Sequence, residues 1–178
     1  MSEPVWILVG MMGAGKTTIG KRIAELTGRP LFDTDAMIQQ RFGRTVSQIF
    51  QIYGERAFRD HETEVLESFP PAGGVLSTGG GIVLRDENWT AMRRLGPTAY
   101  LRATETQLLN RLETSKRKRP LLADSDWQSK VRQILAARQS RYEMADFVLD
   151  VSDDADETAE RAIEHFQAWP GRAEGERA

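Results

Sequence analysis

The octapeptide Gly10-Met11-Met12-Gly13-Ala14-Gly15-Lys16-Thr17 constrains this chain more than any other stretch. It fills every fixed position of the pattern G-x-x-x-x-G-K-S/T. The apolar run Val5 to Val9 precedes it and reads as a strand buried on both faces. Residues 16–27 follow with helical spacing at Ile19, Ile23 and Leu26, and Gly28 ends the run. A glycine-rich loop between strand and helix can turn several backbone N–H groups toward one anion. Glycine permits the conformations and close approaches that a Cβ would obstruct. The helix start adds unpaired N–H groups and the positive end of its dipole. Lys16 brings a mobile charge for the β- and γ-phosphates, and Thr17 a hydroxyl for Mg²⁺. The expected ligand is a nucleoside triphosphate, contacted by Gly13, Ala14, Gly15, Lys16, Thr17 and Thr18.

Beyond the loop, strand and helix signals alternate. Strands are expected at 30–33, 75–77, 98–102 and 147–151. Helices are expected at 36–42, 45–69 (broken near Gly43 and Gly54), 86–95, 104–113, about 126–145 and 155–168. This alternation predicts an α/β fold on a mostly parallel sheet with right-handed crossovers. The 178 residues suit one domain, expected over 1–170, with a frayed tail at 171–178. A formal net charge of -2 provides no basic field to recruit nucleic acid or an anionic membrane. With no cysteine, a disulfide framework, a thiolate metal site and cysteine catalysis are excluded. No apolar run reaches the length of a membrane span, and the start MSEPVWILVG reads as a strand rather than a signal peptide. The cytoplasm is the expected location.

A metal beside the triphosphate needs an acid, usually at the carboxyl end of a neighbouring strand. The third strand ends Ser77-Thr78-Gly79 and offers none. The second ends Phe32-Asp33-Thr34-Asp35, with two carboxylates at alternate positions where ligands of such sheets bind. Asp35 could instead cap a helix starting at Ala36. Glu62, three residues after Arg59, shares a helix face with it and would fix that arginine, contact a hydroxyl, or form only a surface ion pair. His61 and His165 lack metal-binding spacing and read as surface side chains, and the four tryptophans read as packing residues.

The P-loop, FDTD at 32–35, AFR at 57–59, GGG at 79–81, RPLL at 119–122 and RYEMAD at 141–146 together resemble the shikimate kinase family. Their order and approximate spacing match that family from residue 5 to about 152. The resemblance implies a three-layer P-loop fold: a five-stranded parallel sheet in order 2-3-1-4-5, helices on both faces, and a mobile lid at about 114–126. It implies Mg²⁺-dependent transfer of the ATP γ-phosphoryl to the 3-hydroxyl of shikimate, in chorismate and aromatic amino-acid biosynthesis, by a monomer. Residue by residue, it places Thr17 and Asp33 at the metal, Asp33 directly or through water. It places Asp35, Arg59, Gly80, Gly81 and Arg138 on shikimate. Lys16, Asp35 and Arg119 become the catalytic set, Arg119 reaching the phosphates from the lid and Arg111 stacking on adenine. Taken alone, Gly79 to Gly81 would read as a plain turn, and Lys116 to Arg119 as a solvated loop. The chain departs from the family where Pro-Leu is replaced by Ser140-Arg141, so Arg138 and Arg141 compete for the carboxylate position, with the spacing to Tyr142 favouring Arg138. Gluconate kinase is the enzymatic rival, and a non-catalytic nucleotide switch the rival of another class.

Overall fold

The structure is a computed structural model, and it describes residues 3–70, 73–114 and 126–171. The core of the lid anticipated at 114–126, with Arg119, and nearly all of the anticipated tail lie outside the described residues.

Five strands, β1 (Trp6–Val9), β2 (Leu31–Asp33), β3 (Val75–Ser77), β4 (Thr98–Arg102) and β5 (Phe147–Asp150), form one sheet in the order β2-β3-β1-β4-β5 among the described residues. Every pairing is parallel. All four residues of β1 are buried. Successive side chains point to opposite faces, so the central strand must be covered on both sides. The cover comes from α1 (Lys16–Thr27), α2 (Thr34–Phe42), α3 (Val46–Glu67), α4 (Asp86–Leu95), α5 (Glu105–Thr114), α6 (Trp127–Tyr142) and α7 (Ala155–Ala168). α1 packs on α7, and α3 lies between α2 and α4. The main core centres on β1, with Trp6 stacked on Phe166 at 5.0 Å between ring centroids. A smaller core of Ile38, Ile49, Phe58 and Val65 joins α2 to α3. Among the described residues no helix is long and apolar enough to cross a membrane.

Element ends follow local chemistry. Gly28 and Gly43 close α1 and α2 in the left-handed region, at φ 70° and 60°. Gly54 interrupts α3 with φ 81° and ψ 169°, the break expected there. α3 itself starts from a reciprocal capping box between Thr45 and Gln48. The helix after β2 begins at Thr34, two residues earlier than the sequence suggested, and its cap is Asp33 rather than Asp35. The Asp33 Oδ1 accepts from the Ala36 N–H at 3.1 Å. A short 3-10 turn, Ile82–Leu84, follows the glycine run and was not anticipated.

Candidate active site

The P-loop leaves β1 and enters α1 through glycines that only glycine conformations allow: φ is 152° at Gly10, 82° at Gly13 and 95° at Gly15. α1 has no side-chain cap and no acidic residue in its first turn. α2, α3 and α7 are capped by Asp33, Thr45 and Asp154, whereas α6 lacks both features too, so it is the glycine loop ahead of α1 that distinguishes its N-terminus. The positive end of α1 is thus left to a ligand of negative charge. Lys16 is nearly buried, its Nζ donating to the carbonyls of Gly10 at 2.8 Å and Met11 at 3.0 Å. Thr18 is exposed on the first turn. Arg111 reaches over from α5, donating to the carbonyls of Ala14 at 3.4 Å and Ser152 at 3.3 Å, which places its guanidinium between the loop and the β5–α7 junction.

The two acids of FDTD face different neighbours. Asp33 points its second oxygen at the Thr17 hydroxyl, which donates to Oδ2 at 3.1 Å. The Thr17 hydroxyl also lies 3.3 Å from that of Ser77. Ser77 was passed over because it is not an acid. The parallel register pairing Asp33 with Ser77 is the signal that would have found it. Thr17, Asp33 and Ser77 form a small set of hard oxygen donors that fits Mg²⁺, a cation normally held by a few protein oxygens together with phosphates and water.

Asp35, two residues on, turns toward the glycine run. A Cβ added to Gly79 would stand 2.6 Å from Asp35 Oδ1 and 2.8 Å from Glu62 Oε1. Thr34, fully buried between the two acids, accepts from the Gly79 N–H at 2.9 Å and ties β2 to the run. None of Gly79, Gly80 and Gly81 has a positive φ, so conformation does not demand glycine there; space does at Gly79 and Gly81, while a Cβ on Gly80 would meet only ordinary contacts. The run does turn the chain into the short 3-10 segment, and it also brings the backbone close to Asp35, Glu62 and Arg59.

Arg59 donates from Nη1 to Glu62 Oε2 at 2.6 Å and from Nη2 to Glu55 Oε1 at 3.0 Å. The Glu62 side chain is 0% exposed, so the surface-pair reading of Glu62 is corrected. Burial pushes the Glu62 carboxyl above its ordinary range and outweighs the pull of Arg59, while the Asp35 charge adds to the rise. Burial likewise opposes the charge on Arg59, but Glu62 and Glu55 more than offset it and raise its pKa. Glu62 Oε1 and Arg59 Nε have no hydrogen-bond partner among the described residues. Buried polar atoms are rarely left so, and a polyhydroxy acid carries the matching donors and acceptors.

The far wall comes from α6. Arg138 Nη1 donates to the Gly80 carbonyl at 3.1 Å, and the Tyr142 hydroxyl donates to the same oxygen at 2.6 Å. Burial pushes the Tyr142 phenol up to about 12, so it stays a neutral donor. Arg141 points elsewhere, to Val83 and Asp86. The geometry thus brings Asp35, Arg59, Glu62, Arg138 and the glycine run together, and leaves Arg141 outside that group.

A parallel sheet with a phosphate loop at the carboxyl end of its central strand, together with a cluster of arginines and carboxylates around the glycine run, defines a P-loop kinase of small molecules. The family model of shikimate kinase matches residues 12–167. A shikimate kinase of Thermodesulfovibrio yellowstonii is 37% identical over 163 residues, covering 90% of this chain and 94% of that one. A shikimate kinase structure from Acinetobacter baumannii, in complex with shikimate, superposes with a TM-score of 0.86 at 34% identity, over 93% of this chain and 94% of that one. A gluconokinase from Sinorhizobium meliloti shares the fold alone, at 17% identity and a TM-score of 0.54. The chain belongs to the shikimate kinase family.

Proposed function

We propose that this chain transfers the γ-phosphoryl group of ATP to the 3-hydroxyl of shikimate, giving shikimate 3-phosphate and ADP on the route to aromatic amino acids. The observation that carries the reading is the cluster of half-buried Arg59 and Asp35 with buried Glu62 against Gly79 to Gly81, in a chain that also holds an intact phosphate loop. Phosphoryl transfer depends on positioning and charge neutralisation more than on covalent chemistry, and the residues divide accordingly. The P-loop amides and Lys16 hold the triphosphate, with Lys16 exchanging its loop carbonyls for phosphate oxygens. Thr17 and Asp33, with Ser77 behind them, would hold Mg²⁺, which when bound neutralises charge on the β- and γ-phosphates. Arg111 borders the nucleoside, and Arg119 is assigned to the phosphates from its sequence motif.

Arg59 and Arg138 present forked donors to the shikimate carboxylate. Glu62 holds Arg59 in that pose. Asp35 accepts from the attacking hydroxyl and takes its proton as the oxygen bonds to phosphorus and the bond to ADP breaks. The enzyme is read as a cytoplasmic monomer. Asp35→Asn tests the assignment: it keeps the shape and one acceptor but removes the basicity. In steady-state assays kcat should fall about a hundredfold or more while the KM for ATP holds. A kcat close to wild type would remove Asp35 from the chemistry.

A further inference from the structure

The segment Gly80–Val83 is held by its carbonyl oxygens. Gly80 accepts from Arg138 and Tyr142 on α6. Ile82 accepts from the Asn88 amide at 2.8 Å, and Val83 from the Trp89 indole at 3.0 Å, both on α4. Val83 accepts a second bond, from Arg141 Nε at 2.8 Å, while Arg141 Nη2 donates to Asp86 Oδ1 at 2.7 Å. Positions 138, 141 and 142 stand at i, i+3 and i+4 on one face of α6, so the helix lies along the segment it grips.

The two α6 donors at Gly80 converge on a single atom. Trp127 and Val131 seat the start of α6 in the core, but at its end two bonds to one point do not by themselves fix the angle of the last turn. The bond from Arg141 lands three residues further along the same segment and adds a second point that sets the angle of that turn. This arginine stands where the chain departs from the family pattern. We infer that Arg141 is a positioning residue for the shikimate site: by gripping the Val83 carbonyl it fixes the angle at which α6 presents Arg138 and Tyr142. The inference rests on the assignment of Arg138 to the shikimate carboxylate. The Asp86 arm contributes little, because the Asp86 side chain is 85% exposed and solvent screens the pair.

Two variants of equal side-chain length separate the carbonyl grip from bulk and charge. Arg141→Gln places an amide nitrogen at the same number of bonds from Cα as the lost Nε, so it can still donate to Val83. Arg141→Met keeps the length and the apolar stem but has no donor. The methionine variant should raise the KM for shikimate about fivefold, the worth of one hydrogen bond, with the KM for ATP unchanged. The glutamine variant should stay within about twofold of wild type. Asp86→Ala, which removes only the exposed arm, should leave both constants unchanged and serves if the methionine variant gives too little protein. A purely structural role would move the melting temperature of Arg141→Met without separating the two KM values. Equal shikimate KM for Arg141→Met and Arg141→Gln, equal rises for both substrates, or a shikimate KM raised by Asp86→Ala would each overturn the inference. Wild-type turnover of shikimate in the same assay is the independent check: its absence would undo the functional reading itself, whereas failure of the variants to differ would undo only the role of Arg141.

Discussion

At Gly81 an added Cβ would collide with the guanidinium of Arg59, although the backbone there, at φ -101° and ψ -1°, suits any residue. The glycine is needed because Arg59 must lie flat against the chain. Gly81→Ala should therefore fold normally yet displace the guanidinium. The expected result is a rise of about tenfold to a hundredfold in the KM for shikimate, the range of a lost charge-assisted hydrogen bond, with ATP unaffected. Unchanged kinetics for shikimate would mean that Arg59 does not bind it. At this scale the sequence was informative about identity and poor about environment. Lys16 and Thr17 were legible because the P-loop is contiguous and its pattern fixes both positions; Asp33 was legible from its place at the carboxyl end of the second strand. The burial of Glu62 was not legible, since it depends on α3 packing under the glycine run after its break at Gly54, which a helix-face argument does not contain.

The junction of β2 and α2 combines two tasks in one side chain. Asp33 uses one oxygen to cap α2 and the other to meet Thr17. Substitution can separate them. Asp33→Ala loses both, and the missing cap alone should cost about 1 kcal/mol, lowering the melting temperature by roughly 2–4 °C in a chain of this size. Asp33→Asn keeps a good cap but loses the charge, so calorimetry should find it nearly as stable as wild type. Its activity should need about tenfold more Mg²⁺ for half-saturation, the scale of an altered metal ligand. Wild-type Mg²⁺ dependence in the asparagine variant would leave Asp33 as a cap and nothing more. The strand and helix positions were readable because apolar periodicity and punctuating glycines are local signals, whereas the strand order was implied only by the resemblance to the family, since pairing between distant segments leaves no local mark. The misplaced start of α2 arose because two acids two residues apart are equally good caps on paper, and only the packing of Thr34 under Gly79 selects Asp33.

Across the whole molecule, the sheet brings the phosphate loop after β1, the acids after β2 and the glycine run after β3 to one edge, because these strands are neighbours in the order β2-β3-β1. α6, far away in sequence, closes the pocket from the β4 side, where Tyr142 stacks on Tyr100 at 5.1 Å between ring centroids. The sequence named Arg138 only by its spacing to Tyr142; the packing of α6 along residues 80–83 is what sends Arg138 to the pocket and Arg141 away from it. The central claim is that this edge holds ATP and a hydroxy acid at once, and that paired guanidiniums select the acid by its carboxylate. Shikimate-dependent release of ADP, compared with that on shikimate methyl ester and on gluconate, measures the claim most directly. The account predicts saturable turnover of shikimate, kcat/KM for the ester lower by about a hundredfold or more, and no turnover of gluconate above background. Equal turnover of the acid and its ester would contradict the carboxylate clamp, and a preference for gluconate would contradict the assignment of the substrate.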